Sequence, residues 1–262
     1  MYITTNFGAG LCNRLYESTI LREFANYYNA TVLLCWPELL NNAFTLPRTK
    51  FYDRKTCGIN FVPFSPNSKA PKKIQDVILD RTRDWVHVDL WNYNKTLANS
   101  KVRVKDIEFA PSYIDYAQSF FAQYKDVPIF GMHVRRGDFA EYTEKGFGSG
   151  CMKSPDKWFI HLGEQVLKEY PDAKFFMATD TGDPALVNLR ASLPTISLPK
   201  KDGIMQHVLE LYALSILPVL FMSASTFSMM AKAIGEKTLG IWPKVLFQDI
   251  SEELKEIRKI IK

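Results

Sequence analysis

The tract Gly131-Met132-His133-Val134-Arg135-Arg136-Gly137-Asp138 sets a histidine, two adjacent arginines and a carboxylate at the end of an apolar run, Pro128 to Val134. Charges of this kind are costly to bury without partners, so a bound anion explains them better than a surface cluster of salt bridges. A guanidinium fork fits phosphate oxygens and can neutralise the charge that grows on a departing diphosphate. A second tract, Gly8-Ala9-Gly10-Leu11-Cys12-Asn13-Arg14, follows the β-rich Met1 to Phe7. Its glycines permit a tight turn, and the helix behind it offers free backbone N–H groups to an anion, with Asn13 and Arg14 within reach. A plain βα turn with a surface arginine explains this loop equally well when it is taken alone. The third feature is a pair: Ala178-Thr179-Asp180, and Ser223-Ala224-Ser225-Thr226-Phe227-Ser228. The acid could accept from a base or ribose, and the hydroxyls and amides at a helix start could hold phosphate. Serine and threonine are also ordinary helix caps, so the weight lies on their joint placement at strand ends.

The elements that would position these loops alternate. Met1 to Phe7, the glycine loop and a helical pattern of Leu11, Leu15, Ile20, Leu21, Phe24 and Tyr28 lead to Thr31 to Trp36, which reads as a strand covered on both faces. Residues 38 to 84, rich in Asn, Pro, Lys and Ser, read as loop and short elements. From Pro111 the pattern predicts a helix over 112–124, a strand over 128–134, and a helix opening at Ser154-Pro155 with Ser154 as its cap. A strand over 173–178, helices over 183–191 and 203–217, a strand over 219–222, a helix over 226–234 and a strand over 238–241 follow. Ser251 to Lys262 is an amphipathic closing helix with an imperfect capping box, Leu254 standing where an acid is usual. Strand and helix in alternation predict an α/β fold of two Rossmann-like, doubly wound domains facing a cleft. In such sheets ligands bind beyond the carboxyl ends of the strands, where all three features lie.

The bulk composition narrows the class. At 262 residues, 47% hydrophobic and 13% aromatic, the chain is an ordered globular protein. A net charge of +5 without a long basic run gives no reason to expect nucleic acid. Cys12, Cys35, Cys57 and Cys151 are scattered without metal-ligand spacing. No signal-peptide pattern and no apolar run of about 20 residues is present, so a cytoplasmic protein without a membrane span is expected. A dinucleotide dehydrogenase is excluded because Asn13 stands where G-x-G-x-x-G needs glycine, and no Walker-type phosphate loop occurs.

The run His133 to Asp138 resembles the H-x-R-R-x-D motif of the fucosyltransferase superfamily, which includes α1,2-, α1,6- and protein O-fucosyltransferases and the bacterial nodulation enzymes. Gly10-Leu11-Cys12-Asn13-Arg14 is similar to its opening G-L-x-N-[QR] loop, and Ala178-Thr179-Asp180 and Ser223 to Ser228 resemble its A-T-D and S-x-S-[ST]-F motifs. The matches keep the family's order from residue 8 to residue 228. The resemblance implies a GT-B architecture with residues 1–110 on the acceptor side and 111–262 on the donor side, the last helix packing back on the first domain. It implies an inverting, metal-independent transfer of L-fucose from GDP-fucose to a glycan hydroxyl, with no cofactor beyond the donor. By position, Arg135 would contact the diphosphate and assist its departure, with Arg136 and Asp138 alongside and His133 supporting the phosphates. Asp180 would take the guanine or ribose, Ser223, Ser225, Thr226 and Phe227 would line the diphosphate site, and Gly10, Asn13 and Arg14 would complete donor binding.

A single displacement needs a base for the acceptor proton, and carboxylates are the usual choice. Glu144 is preferred here, where α1,6-type relatives carry a catalytic glutamate, with Glu141 and Glu17 as the other candidates. Gly137 is usual in α1,2-type relatives while Cys12-Asn13-Arg14 is not, so the linkage stays open. A transferase of another nucleotide sugar and a non-catalytic glycan-binding domain of the same fold are the alternatives.

Overall fold

The computed structural model describes residues 2–4, 10–27, 29–34, 43–51, 85–87, 104–137, 154–180, 186–243 and 247–261. The chain divides into two compact units, residues 1–110 and 111–262.

In the first unit a short strand β1 (Tyr2–Thr4) leads to helix α1 (Leu11–Tyr27) and then to β2 (Thr31–Leu34). Leu15, Ile20, Leu21 and Ala25 form the buried stripe of α1, the spacing expected of a helix laid on a sheet. Strands β3 (Phe44–Thr45), β4 (Thr49–Phe51) and β5 (Trp85–His87) follow, and β6 (Glu108–Phe109) closes the unit. The main sheet has the order β4-β2-β1-β5 with every pairing parallel. A small antiparallel ribbon, β3 with β6, is pinned by Phe44 against Phe109 with ring centroids 5.0 Å apart.

The second unit begins with α2 (Pro111–Phe121) and β7 (Ile129–Val134), then α3 (Asp156–Glu169), β8 (Lys174–Thr179), α4 (Val187–Ser192) and β9 (Thr195–Ile196). It continues through α5 (Gln206–Ile216), β10 (Val219–Phe221), α6 (Thr226–Ile234) and β11 (Leu239–Ile241) to α7 (Ser251–Ile260). The sheet order is β11-β10-β7-β8-β9, all parallel. All six residues of β7 are buried, as a largely apolar central strand covered on both sides requires, and His133 is its one polar side chain. Successive side chains alternate faces. Phe130, Met132 and Val134 join Trp158, Phe159, Leu162 and Val166 of α3 in the larger core, and Phe130 packs on Phe175 at 5.9 Å and Phe221 at 6.3 Å. Gly131 faces the other way, where a Cβ would stand 3.2 Å from Leu214 of α5, so α5 rides close over the strand. His133 shares that second face.

Two local expectations differ from what is found. Ser154 is not the cap of α3: Pro155 occupies the cap position without a side-chain bond, and the Ser154 carbonyl serves an arginine instead. Ser251 is likewise the first helical residue of α7, its N–H and Oγ both bonded to Asp249 Oδ1 at 2.9 and 2.6 Å. Helix α7 buries Leu254 and Ile257 in the core of the second unit, and Arg258 pairs with Glu169 of α3.

Candidate functional site

The chain runs from β7 outward to β8 and β9 on one side, then returns to β10 and β11 on the other. Between β7 and β10 the winding therefore reverses, and in an open α/β sheet that reversal splays the loops and leaves a crevice at the carboxyl ends of the strands. The residues that end β7 and β10 meet there. Ser223 Oγ and His133 Nδ1 share a buried hydrogen bond of 2.7 Å that spans the two strands. His133 is 3% exposed. Burial first, and the positive charge of Arg135 second, hold its imidazole pKa down to about 3, so the ring is neutral. It stacks on Phe227, centroids 4.8 Å apart.

The loop after β10 is built from serines. Ser225 caps α6 by accepting from the Phe227 N–H at 3.2 Å, as its place before the apolar helix predicts. Ser228 Oγ donates to the carbonyls of Ser223 and Ser225 at 2.8 and 3.0 Å, which fixes the loop from beneath. Thr226, the first residue of α6, is exposed. The free N–H groups of this helix start are a ready partner for an anion.

Beyond His133 the chain turns sharply at Gly137, whose φ of 26° suits glycine. Asp180, at the end of the neighbouring strand β8, organises that turn. Its Oδ1 accepts from the Arg136 N–H at 2.8 Å, and its Oδ2 pairs with Arg135 Nη1 at 2.8 Å. The Arg135 side chain is 29% exposed. Arg136 is instead 7% exposed: its Nη1 donates to the carbonyls of Ser154 and Arg135 at 2.8 and 3.0 Å, and its Nη2 bonds Asp156 of α3.

Thus His133, Arg135, Arg136, Asp180, Ser223, Ser225, Thr226 and Phe227, singled out from the sequence, stand at the ends of three adjacent strands, β8, β7 and β10. Gly10, Asn13 and Arg14 lie in the first unit: Gly10 is exposed, and Asn13 and Arg14 sit half-buried in the first turn of α1, where the Arg14 N–H bonds the Gly10 carbonyl at 3.2 Å. Glu17 is a buried residue of α1. Asp138, Glu141 and Glu144 lie outside the described residues. Ser154 and Asp156, the acceptors that hold Arg136, were not foreseen, because an acid in a first helical turn reads as an ordinary complement to the helix dipole.

Among the described residues no group of three His, Cys, Asp or Glu could hold a metal ion. None of their helices is long and apolar enough to cross a membrane.

No protein-family model and no curated protein matches the sequence. Solved structures do match the fold. NodZ α-1,6-fucosyltransferase soaked with GDP-fucose aligns with a TM-score of 0.55 and 14% identity, over 89% of this chain and 92% of its own. Fucosyltransferase NodZ from Bradyrhizobium gives 0.54 and 14%, over 88% and 92%, and POFUT1 in complex with GDP-fucose gives 0.56 and 11%, over 91% and 97%. The chain thus has the α/β, GT-B-type fold of these fucosyltransferases, the fold expected from its motifs.

Proposed function

We propose that the protein is an inverting, metal-independent glycosyltransferase that moves L-fucose from GDP-fucose to a hydroxyl of a glycan acceptor. The observation that carries this reading is the gathering of Arg135, His133 and the Ser225-capped start of α6 around the point where the winding of the second sheet reverses. A cation, a neutral ring nitrogen and free helix amides together form a receptor for a diphosphate. The fold shared with proteins bound to GDP-fucose supports that donor. The second unit is the donor-binding half in this reading, and the first is the acceptor side.

In the proposed reaction the acceptor oxygen attacks C1 of fucose from the face opposite the diphosphate. The bond from C1 to the β-phosphate oxygen breaks, GDP leaves with the electron pair, and the configuration inverts. Arg135 neutralises the charge that accumulates on the leaving oxygen, a role typically worth a factor of about 10²–10³ in rate for one well-placed donor. In this reading neutral His133 accepts from the Ser223 hydroxyl at Nδ1 and so carries its proton on Nε2, which donates to the phosphates. A carboxylate takes the acceptor proton, and Glu144 and Glu141 are the proposed candidates, to be exchanged singly for glutamine.

The test is GDP release from GDP-fucose in the presence of an acceptor panel and a chelator. Wild-type protein should turn over, and Arg135→Ala should lose at least about 100-fold. Full activity in that variant removes the mechanism, and stabilisation of the protein by UDP or dTDP but not GDP reassigns the donor.

A further inference from the structure

Two neighbouring arginines follow β7, yet the molecule uses their guanidinium groups differently. A phosphate is recognised by the fork of terminal nitrogens, which must be open on one side. In Arg136 both terminal nitrogens already serve protein acceptors: Nη1 the carbonyls of Ser154 and Arg135, Nη2 the carboxylate of Asp156. The side chain is 9% exposed and its charge is matched by Asp156, the arrangement that makes a buried arginine tolerable. In Arg135 the side chain is three times as exposed, with Nη1 on Asp180.

The contacts form one chain. Asp156, in the first turn of α3, holds the Arg136 guanidinium. The backbone N–H of the same Arg136 holds Asp180 Oδ1, and Asp180 Oδ2 holds Arg135 Nη1. The Arg135 carbonyl is also fixed, since it accepts from Arg136 Nη1 at 3.0 Å. The position of the Arg135 guanidinium is thereby set by where α3 holds Arg136.

We infer that Arg136 is a positioning residue and not a second anion ligand: with Asp156 it anchors the turn after β7 to α3, and through Asp180 it presents Arg135 to the anion. This deepens the proposed function and rests on it only for the identity of the anion. Lysine cannot replace Arg136, because one ammonium on a flexible stem does not reproduce a planar fork spread over two carbonyls and a carboxylate.

The experiment measures GDP affinity by calorimetry for wild type, Asp156→Asn, Arg136→Lys, Arg135→Ala and the Asp156→Asn/Arg135→Ala double variant, with urea midpoints as the check on folding. Asp156→Asn should weaken GDP binding about fivefold or more, and Arg136→Lys, although it keeps the charge, should do at least the same. In the Arg135→Ala background Asp156→Asn should cost nothing further, since its effect passes through Arg135. A direct phosphate contact predicts the reverse, because releasing Arg136 from Asp156 would leave GDP binding unchanged or tighter and lysine would restore it. Either of those outcomes overturns the inference, as does an undiminished effect of Asp156→Asn when Arg135 is absent. Should wild type fail to bind GDP, the proposed function falls, and the anchoring is then judged on urea midpoints alone. Non-additive shifts for Asp156→Asn and Asp180→Asn sustain it, and strictly additive ones overturn it.

Discussion

Replacing Gly137 by alanine isolates the device that holds Arg135. A Cβ built on Gly137 would lie 2.2 Å from Asp180 Oδ2, whereas non-bonded carbon and oxygen stay more than about 3 Å apart, so the carboxylate must retreat by roughly 1 Å. The Arg135 Nη1 and Arg136 N–H contacts, both 2.8 Å, would then stretch beyond hydrogen-bonding range. Bonds to a charged group contribute about 1.5–3 kcal/mol when shielded, and solvent at this partly open site reduces that to about 1–2 kcal/mol. The φ of 26° adds a backbone cost of about 1 kcal/mol for a residue with a side chain. The sum, about 2–3 kcal/mol, should lower the melting temperature by about 5–10 °C for a unit of this length. The assay is urea unfolding of Gly137→Ala in the wild-type and Asp180→Ala backgrounds. With the carboxylate gone the clash disappears, so the alanine should cost only its backbone strain of about 1 kcal/mol. An equal cost in both backgrounds refutes the steric reasoning.

Other consequences concern pH and packing. His133, with its folded pKa near 3, resists the proton that an unfolded histidine accepts at about 6.5; its contribution is present above 6.5 and lost as pH falls toward 3, on the order of 4–5 kcal/mol in all. Burial raises the Glu210 carboxyl to about 7, so its contribution is complete below 4.5 and lost as pH rises through 7. The two oppose each other between pH 4.5 and 6.5. Net acid loss should therefore steepen below pH 4.5; in equilibrium unfolding His133→Phe should be less acid-sensitive than wild type between pH 3 and 4.5, and between pH 4.5 and 7, where the Glu210 effect is no longer offset, it should gain stability as pH falls. Ser223→Ala removes the bond that orients the His133 ring and should weaken GDP binding about tenfold in calorimetry while the unfolding midpoint moves by little more than one hydrogen bond's worth. Gly235→Ala would bring a Cβ to 2.0 Å from the Ser215 carbonyl, a backbone atom that cannot step aside, and should cost about 2–3 kcal/mol in urea unfolding without altering GDP affinity in the folded protein.

How far the sequence was legible differs by element. The largely apolar run of β7 and the serine-rich tract ahead of the apolar residues of α6 gave strand and helix directly, because burial on both faces and cap-forming residues before a first turn leave local signatures. Strands of two or three residues such as β5 and β9 carry too few positions for a period to show, and they exist because neighbouring strands pair with them. Ser154 misled for a related reason: a serine before proline is a good local cap, but the buried Arg136 needed a carbonyl at that point and the tertiary contact prevailed. The site followed the same rule. Its residue types were visible from spacing, whereas the division of labour between Arg135 and Arg136 depends on Asp156 and Asp180, which lie 20 and 44 residues away from Arg136.

The most direct measurement is a calorimetric titration of GDP into the intact protein in the presence of a chelator, repeated with Arg135→Ala. Saturable binding by the wild type, weakened at least about tenfold by the variant, is the predicted result. Equal affinity in the two proteins, or binding that appears only after a divalent cation is restored, would contradict the diphosphate receptor proposed at the ends of β7 and β10.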